Sequence, residues 1–162
     1  MKRYLLVTVT FALVVGRAPA EAQGPKTDLV AGTGQFQSAF VADAEIHVNA
    51  KSGPLGEDPK GTFFARIETA APLDADFRGR VTCLTVVGKQ ATIGGAITAS
   101  RTSQVLPGQG ALIYITDNGE GNDDPPDMFD IVFTATPPLV CPTFVGGVPI
   151  TQGNFIVRDA VP

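Results

Sequence analysis

The stretch "MFDIVFTAT" (128–136) places Phe129, Ile131, Phe133 and Ala135 on one side of an extended chain, with Asp130 and Thr134 on the other. The same period of two recurs elsewhere. Phe63, Ala65 and Ile67 oppose Phe64, Arg66 and Glu68, and Ile46 and Val48 oppose Glu45, His47 and Asn49. No segment sustains a helical period, so these alternations constrain the fold more than anything else in the chain. Candidate strands cover 34–41, 44–50, 62–69, 77–87, 90–100, 110–116, 128–136 and 153–158. About eight short strands separated by turn residues predict an all-β, single antiparallel domain, barrel-like, with a two-sheet β-sandwich as the alternative.

Turn chemistry supports that reading. Gly88-Lys89 stands between two β-rich runs and is the Gly-X form of a two-residue type II′ hairpin, which predicts that 77–87 and 90–100 pair antiparallel. Gly94-Gly95 falls inside the second of these strands. A mid-strand glycine pair marks a bulge, a bend or a close approach of other atoms, and the bend of a barrel corner favours the barrel over the sandwich. Pro125, Pro126, Pro137 and Pro138 bracket the 128–136 strand and cannot donate to a ladder.

The start, "MKRYLLVTVTFALVVGRAPAEAQ", has two basic residues, an apolar run and small residues at signal-peptidase spacing, the pattern of a secretory signal peptide over 1–22 with an alternative cut after residue 20. The run is shorter than the roughly 20 residues that span a bilayer. The expected product is a secreted domain at 32–162, extracellular or periplasmic, behind a flexible lead-in at 23–31. Export to an oxidising compartment predicts that the two cysteines, Cys83 and Cys141, are bridged. Two Cys and one His fall short of the usual four ligands of structural zinc.

Twelve Lys and Arg against 16 Asp and Glu give a net charge of −4. Losing Lys2, Arg3, Arg17 and Glu21 with the signal peptide leaves 9 against 15, a net charge of −6. An acidic chain without basic clusters argues against nucleic acid and anionic membrane as partners.

Five carboxylates, Asp117, Glu120, Asp123, Asp124 and Asp127, crowd into "DNGEGNDDPPD". Oxygen-rich, glycine-rich loops suit calcium, and extracellular modules bind it weakly, so a calcium site is one reading. The EF-hand spacing is absent, because Gly119 and Gly121 occupy two ligand positions. Asp-Asn-Gly is also a strong turn signal on its own, and a solvated connection is the other reading. A second candidate set comprises His47, Asn49, Arg66 and Glu68, which would form a polar pocket if their face lined a barrel interior. His47 is the single histidine, and the nucleophile, zincin and phosphate-loop motifs are missing. A carboxylate-pair glycosidase is permitted by the acids, but the chain lacks tryptophan for sugar stacking, with Tyr4 and Tyr114 the only tyrosines, which counts against carbohydrate binding and hydrolysis alike. The residues therefore favour a non-enzymatic binding or structural role, with an enzyme or small-ligand binder around His47 as the alternative.

The elements V-T-C-L-x-V (Val81 to Val86), Gly88, A-x-x-G-G (Ala91 to Gly95), D-N-G-E-G (Asp117 to Gly121), P-P-D (Pro125 to Asp127), Cys141 and G-N-F-x-V (Gly153 to Val157) together span most of the mature chain. In these the chain resembles a group of exported bacterial β-rich proteins and domains without an assigned activity. The resemblance implies an extracellular β-domain and supplies no mechanism.

Overall fold

The computed structural model describes residues 26–38, 41–69, 74–120, 123–143 and 146–160. The expected signal peptide and residues 23–25 of the expected lead-in lie outside them. Nine strands form: β1 (Asp28–Phe36), β2 (Val41–Ser52), β3 (Lys60–Thr69), β4 (Ala75–Val87), β5 (Gln90–Ser100), β6 (Gly110–Thr116), β7 (Met128–Thr134), β8 (Val148–Pro149) and β9 (Gln152–Arg158). There is no helix among the described residues, so none is long and apolar enough to cross a membrane. The strands make one antiparallel sheet in the order β8-β7-β6-β5-β4-β3-β2-β1-β9, curled into a half-barrel. β1 to β8 is a meander of neighbouring strands, and β9 returns to pair with β1.

Alternation sorts the side chains as the period of two requires, except at the end of β7, where Phe133, expected in the core with Phe129, is 41 % exposed. Val30, Ile46, Val48, Phe63, Phe77, Ile93, Ile97, Ile113, Ile115, Phe129, Phe155 and Val157 are buried in one interior cluster. Aromatic rings pack together there, with Phe36 of β1 against Phe129 of the distant β7 at 5.3 Å and Phe63 of β3 against Phe77 of the neighbouring β4 at 6.3 Å between ring centroids. Such contacts add to the hydrophobic stabilisation of burying large rings.

The Gly88-Lys89 turn joins Val87 to its partner Gln90, and Gly88 takes the positive φ of 61° that the tight hairpin needs. The glycine pair in β5 answers two different steric demands. A Cβ on Gly95 would lie 2.1 Å from Cε1 of Phe63, inside the barrel. A Cβ on Gly94 would lie 2.4 Å from Sγ of Cys83 and 2.8 Å from Pro138, outside it. The register of β4 against β5 also shifts between Val81 and Cys83, opposite these glycines, so a bulge accompanies the close approach.

The outer contact at Gly94 is a strap. After β7 the chain doubles back over the outside of β4 and β5, pinned by the Cys83–Cys141 disulfide, with Cα atoms 5.7 Å apart. Thr82 Oγ1 donates to the Pro138 carbonyl at 2.5 Å and Thr85 Oγ1 to the Cys141 carbonyl at 3.0 Å. A cross-link spanning 58 positions stabilises the fold by about 4 kcal/mol through loop-closure entropy.

Three elements differ from the sequence expectation, the first being the expected strand 34–41, which is divided: 34–36 close β1, and Val41 opens β2. β1 begins at Asp28, inside the stretch expected as lead-in, because Asp28 to Ala31 pair with β2 on one side and Leu29 to Ala31 with β9 on the other. The ninth strand, β8, is a two-residue pairing of Val148-Pro149 with β7, too short to show a period.

Candidate functional site

The acidic loop connects β6 to β7, and its carboxylates divide by depth. Asp117 and Asp127, at its two ends, are each 3 % exposed, while Glu120, Asp123 and Asp124 are exposed. The buried pair faces the free edge of β9. Because β9 bonds to β1 on one side only, the outward amides of alternate residues on its other side have no strand to pair with. Asp127 Oδ2 accepts the Phe155 amide at 2.7 Å, and Asp117 Oδ2 accepts the Val157 amide at 2.9 Å. A third buried carboxylate, Asp28, accepts the Ala160 amide at 2.9 Å. Asp117 and Asp127 thus stand in for the missing strand along the seam of the half-barrel, while Asp28, the first residue of β1, holds the residue two beyond the end of β9. A buried amide left without an acceptor would cost about 1 to 3 kcal/mol.

Each carboxylate is further occupied. Asp127 Oδ1 accepts the Asn118 amide at 2.8 Å, and Asp117 Oδ1 accepts the Gly119 amide at 3.0 Å. Lys89 Nζ donates to Asp117 Oδ2 at 2.8 Å. Burial alone would raise the Asp117 carboxyl, but the Lys89 ammonium with the Val157 and Gly119 amides outweighs it and holds the group below its ordinary value. For Asp28 burial wins and the carboxyl is raised, against the Ala160 amide and the Ser52 hydroxyl. The chain itself bridges the seam at Ile150 and Thr151, whose amides donate to the Asp127 carbonyl at 2.9 Å and the Gln35 carbonyl at 2.7 Å.

The loop therefore separates the five expected calcium ligands: two point inward to amide donors and three face outward. Among the described residues no group of three His, Cys, Asp or Glu side chains is arranged to hold a metal ion.

The second candidate set stands on the outward face of β2 and β3. His47, between buried Ile46 and Val48, has a side chain 46 % exposed and shares a hydrogen bond of 2.7 Å with Glu45. Arg66 and Glu68 form an exposed ion pair with each other. The half-barrel interior that would have made a polar pocket of this face is instead occupied by phenylalanine and isoleucine. His47 and Asn49 do line an open groove of about 830 Å³, and Arg66 and Glu68 do not.

That groove crosses the outward faces of β1 to β5, from Ala31 and Thr33 through Thr62 and Phe64 to Arg78, Arg80 and Thr98. Phe64 is half-buried in it, with its ring 5.7 Å from the His47 ring. Arg78 and Arg80 are exposed. Sequence reasoning assigned no role to Thr62, Phe64, Arg78 or Arg80. The period-two spacing of the two arginines around Gly79 was visible, but the register that sets Thr62 beside Arg80 and Phe64 beside Arg78 was not.

The imidazole of His47 shares its hydrogen bond with a solvent-exposed carboxylate two residues away on its own strand, Glu45. The groove is a concave trough that sets the Arg78 and Arg80 cations, the Thr33, Thr62 and Thr98 hydroxyls and the Asn49 amide around the Phe64 ring. Comparison with protein families, with curated proteins and with solved structures finds no match to this chain.

Proposed function

We propose that this protein is an exported, non-enzymatic binding domain that engages an extracellular or envelope ligand with the outward face of β1 to β5. The observation that carries the reading is the division of labour between the two faces of the sheet. The inward face is filled by Phe63, Phe77, Phe129, Phe155 and six buried isoleucines, whereas the outward face holds the open groove with His47, Asn49 and Arg78. A ligand of any size meets the outer groove, and polar side chains on a rigid sheet hold a binding geometry better than loops do. The apparent signal peptide and the bridged cysteines fit an oxidising destination.

The test is a binding screen of the mature, disulfide-intact chain against extracellular polysaccharides, peptides and lipid vesicles, beside a Thr62→Trp variant that obstructs the groove at an exposed β position. A ligand held by the wild type and lost in the variant, recovered intact by mass spectrometry, is the expected result. Cleaved ligand would replace binding with catalysis, and binding indifferent to Thr62→Trp would move the site elsewhere.

A further inference from the structure

The basic residues are scattered along the sequence, and the sheet gathers them. Of the nine Lys and Arg beyond residue 22, Lys51, Lys60, Arg78 and Arg80 share the outward face of β2, β3 and β4. Lys51 is the cross-strand partner of Lys60, Thr62 of Arg80 and Phe64 of Arg78, in successive rows about 7 Å apart on one face. The acidic side chains of that face begin one row further on. There Glu45 pairs with His47, Glu68 with Arg66 and Asp76 with Arg101.

Among the described residues, the side chains of Lys51, Lys60, Arg78 and Arg80 have neither a hydrogen bond nor an ion pair. Like charges set directly opposite across a ladder destabilise a sheet, so the Lys51–Lys60 pair works against the fold. Four uncompensated cations on a chain that is otherwise acidic make a local positive field that an anion would relieve. A second hollow of about 510 Å³ around Lys60 shares Thr62 and Arg80 with the main groove, so the cationic strip continues past the trough rather than ending in a single-anion pocket.

We infer that this strip binds an extended acidic polysaccharide, its carboxylate or sulfate groups on Arg78, Arg80, Lys60 and Lys51 and a sugar ring over Phe64. The inference rests on the binding-domain reading above and names its ligand class. A sugar ring presents hydroxyls and an apolar face, and Asn49, Thr62 and Thr98 flank the one aromatic ring at matching positions. Single-stranded nucleic acid calls for a series of aromatic stacking platforms, and of the three rings lining the groove Phe63 is buried in the interior, which leaves Phe64 and its neighbour His47. A planar bilayer would meet the rim of a trough, not side chains ranged along it.

The experiment uses the mature, disulfide-intact chain with polygalacturonate and dextran sulfate as acidic probes and dextran as the neutral one. Single-stranded DNA and phosphatidylserine vesicles serve as the other polyanions. The wild type should bind one of the acidic polysaccharides and not dextran, and which of the two distinguishes carboxylate from sulfate. The double variant Arg78→Gln/Arg80→Gln should lose about tenfold or more in affinity, and its plot of log affinity against log salt should flatten by roughly one to two. A variant Lys89→Gln, away from the strip, should bind as the wild type does. No binding to either acidic polysaccharide at low salt, an unchanged affinity in the double variant, or tighter binding of DNA or vesicles overturns the inference. If a neutral polymer binds, is lost with Thr62→Trp and ignores the arginines, the polyanion inference falls while the binding-domain reading stands.

Discussion

The seam beside β9 and the outward face of β2 to β4 use charge in opposite ways. At the seam, Asp117 and Asp127 are buried and their oxygens accept the amides of Val157 and Phe155. On the outward face, Lys51, Lys60, Arg78 and Arg80 are exposed and without partners among the described residues. Part of the chain's acidity is thus building material, and the part of its charge presented on this face is basic. Net charge alone concealed this, because it weighs a buried structural carboxylate and an exposed one equally.

The contrast makes graded predictions. The strap sets the scale: Cys83→Ser with Cys141→Ser should cost about 4 kcal/mol in urea unfolding, since a long loop is released. Next comes the seam. Asp127→Ala strands the Phe155 and Asn118 amides and should cost about 3 kcal/mol, whereas a loss below about 0.5 kcal/mol would mean that the seam does not hold the sheet. Gly95→Ala, which forces a methyl into the Phe63 ring, should cost about 1 to 3 kcal/mol. Arg78→Gln and Arg80→Gln should stay within about 0.5 kcal/mol of the wild type, because nothing in the fold depends on them. The smallest effect belongs to calcium. With Asp117 and Asp127 already occupied by donors, the unfolding temperature should be the same in millimolar calcium and in chelator.

Acid also separates the buried carboxylates Asp117 and Asp28 from one another. The Asp117 carboxyl is held below its unfolded value, so its stabilisation is present above the unfolded carboxyl pKa of about 3.9 and is lost as pH falls through it. The Asp28 carboxyl is raised, so protonation on the way down from neutral pH favours the folded state. Asp117→Asn should therefore flatten the loss of stability below about pH 4, and Asp28→Asn should steepen the fall on acidification. The arginine variants should leave this pH profile unchanged.

Much of the fold was legible because its signals are local. The bounds of β5 and β6, the Gly88-Lys89 hairpin, the alternating core positions and the disulfide follow from short stretches and cysteine arithmetic. What escaped depends on partners far away in sequence. Asp28 reads as polar lead-in until Ala160 arrives to bond it, across 132 positions. Nothing local separates Asp117 and Asp127 from Asp123 and Asp124, since their donors come from β9. The D-N-G-E-G, P-P-D and G-N-F-x-V elements looked like three features and meet at one seam. Likewise the cationic strip exists only once β2, β3 and β4 are in register.

Amide hydrogen exchange on the folded protein tests the seam most directly. Phe155 and Val157 have no strand partner for their amides, so protection as strong as that of the ladder residue Ile156 can come only from the two carboxylates. We predict such protection in the wild type and its loss at Phe155, with Val157 still protected, in Asp127→Ala, which removes both acceptor oxygens. Fast exchange of Phe155 and Val157 in the wild type, at the rate of an open sheet edge, would contradict the account.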